Sequence, residues 1–205
     1  QLTSVTIGAN VSAIGDYAFY DCSYLASVNF AVGMQENGLT IGDYAFGRCG
    51  RLTSISLPEG TTSLGEGAFY SSALRTIHIP STVTYMGESS GTGSYEFDVF
   101  SACSELTAVE VAEDNTSYAD IDGILYVKSV IDPTAETPEY YISALAFCPR
   151  RNSGADGVVD VPSTVRAIWQ NAFYMNQGVT KIVFGGGNGL EEVKDTVTGK
   201  VIEVS

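Results

Sequence analysis

Apolar side chains recur one residue apart in seven short windows along the chain. These are Val5-Thr6-Ile7, Val28-Asn29-Phe30, Ile55-Ser56-Leu57, Ile77-His78-Ile79, Val109-Glu110-Val111, Val159-Asp160-Val161 and Ile182-Val183-Phe184. A period of two sends the first and third residue of each window to one face of a strand and the middle one to the other. The pattern predicts strands at 3–7, 26–30, 53–57, 75–79, 107–111, 158–161 and 180–184. The windows begin 23, 27, 22, 32, 50 and 23 residues apart. The unit is therefore about 23 residues, with added residues in the second, fourth and fifth steps, the fifth hiding two units.

A second signal lies between the windows. Ile14-Gly15-Asp16-Tyr17-Ala18-Phe19 is repeated without change from Ile41 to Phe46, and weaker copies end at Phe69 and Phe173. The glycine suits a tight turn. Asp16, Asp43, Glu66 and Gln170 then stand where a short helix would begin and where a side-chain oxygen can accept free N–H groups. In Ala-Phe, the alanine lets backbones approach and the phenylalanine fills the space between coils. Phe19, Phe46, Phe69, Phe100 and Phe173 are expected to be buried and aligned. One strand of this kind buries too little by itself, so the units must stack as parallel strands over a continuous core. The sequence predicts one solenoid domain over 1–205, with insertions near 31–40, 87–98 and 126–157. Val193 to Val204, with a Thr198-Gly199 turn, reads as a hairpin cap within 190–205.

The composite pattern Leu-x-x-Ile-x-Ile-Pro-x-x-Val-x-x-Ile-Gly-x-x-Ala-Phe-x-x-Cys resembles the BspA-like leucine-rich repeats of bacterial surface proteins. Ile79-Pro80-Ser81-Thr82-Val83 and Val161-Pro162-Ser163-Thr164-Val165 carry it best. Asn115 to Tyr118 followed by Asp122 to Tyr126 is similar to that family's variant repeat with an inserted hairpin. The resemblance covers roughly residues 2–184. It implies a leucine-rich-repeat solenoid, cell-surface display and adhesion to host proteins, while a fold alone leaves the activity open.

Charge narrows the partners. Apolar residues make up 44% of the chain, enough for a core, and 24 acidic against 10 basic residues leave a net charge of −14. The basic residues are scattered, and clustered Lys or Arg is what phosphate binding needs, so a nucleic-acid partner is not expected. No apolar run approaches the ~20 residues of a membrane span, and no signal peptide is visible before the repeat begins. Acidity, few lysines and abundant Ser, Thr, Gly and Tyr favour an extracellular or cell-surface location.

Candidate chemistry is sparse. Cys22, Cys49 and Cys103 each follow a plug phenylalanine by three residues, a place held elsewhere by Ser72 and Asn176. This reads as a buried ladder of small side chains rather than a disulfide framework, with Cys148 off the pattern. Close cysteine pairs and histidine partners for a metal are missing, so no metal or cofactor is expected. Gly87-Glu88-Ser89-Ser90-Gly91 spells a nucleophile elbow, but the sole histidine, His78, lies upstream of the serine. Asp120-Ile121-Asp122-Gly123 spells part of a calcium loop, yet Tyr118 and Ser129 stand where that loop needs acids, so a tight turn before Ile124 is the better reading. The glycines from 185 to 189 lack the spacing of a phosphate loop. Trp169 replaces a repeat glycine, and packs over the inserted hairpin or stands exposed as a ligand anchor.

The middle residues of the windows are left for function. Thr6, Asn29, Ser56, His78, Glu110 and Asp160, followed by Val183, form an outward ladder with rungs ~4.8 Å apart. Solenoids bind partners over such surfaces, and the insertions add Tyr95, Tyr140 and Tyr141 on loops. The expectation is a non-catalytic, extracellular protein-binding or adhesion module. The alternative is carbohydrate recognition, or glycoside processing, through the Tyr-rich acidic loops.

Overall fold

The chain stacks its repeats into parallel coils, each contributing a strand, a turn and a second short strand. The structure is a computed structural model and describes residues 1–33, 38–87, 99–169 and 171–185, with the backbone of 193–194 and 201–202. The windows form β1 (Ser4–Ile7), β3 (Ser27–Phe30), β6 (Thr76–Ile79), β8 (Ala108–Val111), β12 (Val158–Val161) and β14 (Lys181–Phe184). Each step from Ile14 onwards forms a second row: β2 (Ala13–Ile14), β4 (Leu39–Ile41), β5 (Thr61–Leu64) and β7 (Tyr85–Met86) pair side by side, all parallel. The window at 53–57 departs from expectation. It joins its later neighbour through one parallel bridge, Ser56 to His78, and through the Arg75 N–H on the Thr53 carbonyl at 3.1 Å. No ladder ties it to β3, so the first row is interrupted there.

The helices expected at Asp16, Asp43 and Glu66 do not form, and Gln170 lies outside the described residues. Tyr17 and Asp21 have φ of 57° and 58°, and Tyr44 and Arg48 repeat this at 53° and 58°. Left-handed residues four apart stop a right-handed helix from propagating. They turn alternate N–H groups towards the next coil instead. Tyr17, Phe19 and Asp21 donate to the carbonyls of Asp43, Ala45 and Gly47, each at 2.8 Å, while Ala18 and Tyr20 bond three residues back. The carboxylates still accept N–H groups, but between coils. Asp16 Oδ1 accepts from the Asp43 N–H at 2.9 Å, and Asp43 Oδ1 from the Glu66 N–H at 2.8 Å.

That contact is why the repeat needs its glycine. A Cβ on Gly65 would lie 2.4 Å from Asp43 Oδ1 and 2.6 Å from the Asp43 backbone nitrogen. Gly65→Ala should therefore shift the denaturation midpoint down by the equivalent of about 1–3 kcal/mol, the usual cost of overpacking. The same substitution at Gly15, which meets nothing within 4 Å, should be near neutral.

Phe19, Phe46, Phe69 and Phe100 stack along the axis, with ring centroids 5.2, 5.7 and 6.1 Å apart and planes within 9°. The next ring is Phe147, 5.7 Å from Phe100, and not Phe173. Phe173 is half-buried against a second, smaller cluster around Tyr126, Leu145 and Val161. The reason is the insertion. β9 (Tyr118–Ile121), β10 (Ile124–Val130) and β11 (Tyr140–Phe147) make an antiparallel sheet, and β11 pairs in parallel with β13 (Ala167–Ile168). The inserted strands begin before residue 126 and are part of the core. Leu125 and Phe147 pack into the first cluster, while Ile124, Tyr126 and Leu145 pack into the second. β15 (Val193–Lys194) pairs antiparallel with β16 (Val201–Ile202). The Thr198-Gly199 turn lies outside the described residues.

Candidate binding surface

All six outward rungs, Thr6, Asn29, Ser56, His78, Glu110 and Asp160, are exposed, because their neighbours on either side supply the core. Their register is direct: Thr6 faces Asn29, Ser56 faces His78, His78 faces Glu110, and Asp160 faces Val183. The strip is not continuous. It breaks between Asn29 and Ser56, where the ladder is open, and again after Glu110. Beside β8 stands the β9–β10 turn instead of the next coil. The Val109 N–H donates to the Gly123 carbonyl at 2.9 Å, and the Val111 N–H to Asp120 Oδ1 at 2.8 Å. Asp120 is therefore a backbone acceptor, and Asp122-Gly123 is the tight turn read from sequence, both residues with positive φ. Among the described residues no group of three or more His, Cys, Asp or Glu gathers as a metal site.

The middle of the strip holds an arrangement that linear spacing concealed. Ser56, His78 and Glu110 occupy three consecutive rungs, the composition of a hydrolase triad. Nothing in the structure hydrogen-bonds any of the three side chains to another, all are exposed, and a triad works through a base held and oriented by its partners. Of the elbow string, Gly87 directly follows β7, its N–H bonded to the Leu64 carbonyl at 2.7 Å, and 88–91 lie outside the described residues.

A second surface is the hairpin tip between β10 and β11. Residues 131–140 are all exposed, with Ile131 62% and Tyr140 41% accessible, and Tyr141 flanks them. The tip is ordered by its own bonds. Asp132 Oδ1 accepts from the Thr134 N–H at 2.8 Å and its hydroxyl at 2.7 Å, and these bonds hold the Asp132 carboxyl below its ordinary range. Tyr95, the other loop tyrosine of interest, lies outside the described residues.

A third surface escaped the sequence reading because its parts lie a full coil apart. Tyr17 stacks on Tyr44 at 5.2 Å, Tyr20 and Tyr70 meet Tyr44 edge-on, and the Arg48 guanidinium lies 5.8 Å from the Tyr20 ring centre. The packing is glycine-dependent. Cβ atoms on Gly47 and Gly67 would come within 2.7 and 2.6 Å of the Tyr20 and Tyr44 rings, so these two tyrosines lie on the bare backbone of the next coil. The Tyr44 hydroxyl donates to Glu66 Oε1 at 3.1 Å; burial, then that bond, raises its pKa. The signal to look for was a tyrosine facing a glycine one repeat later.

Cys49 and Cys103 make matching bonds to the carbonyls of Phe19 and Phe69 in the preceding coils, and Cys148 joins this ladder. Its sulfur accepts from Asn176 Nδ2 at 3.4 Å, and Asn176 holds the equivalent rung of the next coil. Burial pushes the Cys49 and Cys148 thiols up to about 12, which keeps them protonated and poor nucleophiles. Trp169 is half-buried against the main core. Its N–H bonds the Leu145 carbonyl at 2.9 Å, as Gly87 bonds Leu64, but the neighbouring coil is there the continuing strand β11 rather than an Asp turn. A side chain fits where Gly65 cannot carry one, which supports the packing role over the exposed anchor.

Parallel coils of about 23 residues with an aromatic plug define a leucine-rich-repeat solenoid. The sequence profile of the BspA type leucine rich repeat region matches residues 1–117 in six copies, and the chain belongs to that family. Two solved structures share the fold. A leucine-rich repeat protein from Eubacterium ventriosum is 21% identical over 88% of this chain and 47% of its own, with a TM-score of 0.59. The pneumococcal vaccine antigen PcpA is 22% identical over 90% of this chain and 45% of its own, also at 0.59. The chain spans about half the length of either. No curated protein matches it at a significant level.

Proposed function

We propose that this chain is a protein-binding module displayed outside the cell, that it recognises its partner through the outward rungs, and that it is not an enzyme. The observation that carries the reading is the in-register row Ser56–His78–Glu110. Its side chains are exposed, unpaired with one another and held on backbone that the core makes rigid. A polar row of this kind offers several hydrogen-bonding groups without a loss of loop entropy on binding. The leucine-rich-repeat fold and the BspA-type family support an adhesive role at the cell surface, with a host or other extracellular protein as partner. Neither nucleic acid nor membrane insertion fits the scattered basic residues, and among the described residues no helix could cross a bilayer.

The test is a triple substitution, Asn29→Ala, His78→Ala and Glu110→Ala, assayed against a panel of extracellular host proteins by surface plasmon resonance. The variant should fold normally, since exposed changes cost within about 0.5 kcal/mol each, and should lose at least tenfold in affinity. Normal binding would move recognition to the hairpin tip or another face. Chromogenic esters and glycosides should not turn over. Turnover abolished by Ser56→Ala or Glu110→Ala would overturn the non-enzymic reading.

A second reading, carbohydrate recognition, rests on the exposed Tyr140 and Tyr141 beside Asp132, Glu136 and Glu139. Glycoside hydrolysis requires two carboxylates about 5–9.5 Å apart across a cleft, and a protruding hairpin tip provides an edge rather than a cleft. A glycan array on wild type and on Tyr140→Ala separates this reading from the first.

A further inference from the structure

Cys22 and Cys49 hold the same place in consecutive coils, three residues after the stacked Phe19 and Phe46. In sequence they are separated by the longer, 27-residue step, which suggests that the insertion drives them apart. In space it does not. The turns beyond stay in register, with the Asp21 N–H on the Gly47 carbonyl at 2.8 Å. The spacing of neighbouring parallel backbones, ~4.8 Å, lies inside the Cα separation a disulfide accepts, about 4.4–6.8 Å.

A later pair of rungs measures how near the side-chain tips come. Ser72 Oγ and Cys103 Sγ are 3.3 Å apart, and Cys103 Sγ also donates to the Phe69 carbonyl at 3.0 Å. Cys49 Sγ makes the matching bond to the Phe19 carbonyl at 3.4 Å, so it is directed at the preceding rung, and that rung is Cys22. Cys22 is half-exposed, whereas Cys49 is fully buried, so a reagent enters at Cys22. Ser72 separates Cys103 from Cys49, and Cys148 faces Asn176.

We propose that Cys22 and Cys49 are a covalent cross-linking site that closes a disulfide between the first two coils in the presence of a low-molecular-weight disulfide. The Cys22 thiolate attacks one sulfur of that reagent, forms a mixed disulfide and expels a thiolate, which takes up a proton. Hydroxide takes the Cys49 proton, and the Cys49 thiolate attacks the Cys22 sulfur and expels the second thiolate, which takes up a proton. Two protein thiols are oxidised, and one small disulfide is reduced to two thiols. Because burial holds the Cys49 proton tightly, the second step speeds up as pH rises. The bridge ties off the 31–40 insertion and stiffens the N-terminal end of the stack. Its occurrence in life rests on the extracellular placement proposed above, whereas the chemistry itself does not.

The whole chain is incubated with oxidised glutathione at mildly alkaline pH and digested without reduction for mass spectrometry. A peptide pair joining Cys22 to Cys49 is expected, with Cys103 and Cys148 still open to alkylation after denaturation, and with a thermal midpoint raised by several degrees. Cys49→Ser, a residue the ladder already accepts at Ser72, should fold normally and stop at the glutathione adduct of Cys22. Wild-type protein that also stops at the adduct, or stays unmodified, or links through Cys103 or Cys148, would overturn the assignment. A chain shown to reside inside the cell would refute the proposed location yet leave the cross-link in vitro intact.

Discussion

Phe46→Ala is expected to lower the unfolding free energy by about 3–5 kcal/mol, the usual cost of truncating a buried aromatic. Phe46 has no accessible surface and sits between Phe19 and Phe69 at 5.2 and 5.7 Å, with both rings nearly parallel to it. Removal leaves a cavity that cannot collapse, because the coils on either side are fixed by the Phe19 N–H to Ala45 and Phe46 N–H to Ala68 hydrogen bonds, both 2.8 Å. Chemical denaturation followed by circular dichroism measures the effect. Phe173→Ala provides the comparison. Its ring is half-buried beside the smaller cluster, so it should cost less than half as much. Equal losses at the two positions would mean that the aromatic stack is not the principal support of the fold.

Asn115→Ala should be comparably damaging, by about 3 kcal/mol or more, although the residue is small and polar. Asn115 is buried, and its side chain satisfies four backbone groups at once. Nδ2 donates to the Pro80 and Val83 carbonyls at 2.8 and 2.9 Å, and Oδ1 accepts from the Ser117 and Tyr118 N–H groups, both at 2.8 Å. Alanine leaves these without partners, and each buried unsatisfied group costs about 1–3 kcal/mol. Asn115→Asp should be no better than alanine, because a carboxylate would face two carbonyl oxygens. If Asn115→Asp retains wild-type stability, the amide is not holding the fifth coil to the fourth. Tyr118, released with it, also carries the Met86 N–H on its hydroxyl at 2.9 Å, so the loss should spread to β7 in hydrogen exchange.

These two residues show how differently the chain's features could be read in advance. Phe46 is legible because it recurs: a phenylalanine after alanine in copy after copy marks a position that every coil needs. Asn115 occurs within the variant repeat, and its four bonds run to residues 2, 3, 32 and 35 positions away. No periodicity reveals such a set. The same limit explains Phe147, whose place in the aromatic stack belongs by sequence spacing to Phe173. The insertion's strand enters the core and takes the slot, and this depends on how β11 pairs with β10 and β13.

Repetition determined the strand windows, the parallel stacking, the outward rungs and the plug positions, because a 23-residue period leaves each apolar pair one way to be buried. Tertiary structure decided what period cannot encode. Left-handed backbone at Tyr17 and Tyr44 turned the expected helices into inter-coil hydrogen bonds. The open ladder beside 53–57 and the β9–β10 turn cut the outward strip into segments. Bonds between the turns hold Cys22 and Cys49 in register despite the longer step between them, and the bare backbone of Gly67 made room for Tyr44. The physical reason is common to all of them. Periodicity specifies which face of its own coil a side chain occupies, whereas these features arise from contacts between coils, whose alignment depends on where insertions leave the stack and return to it.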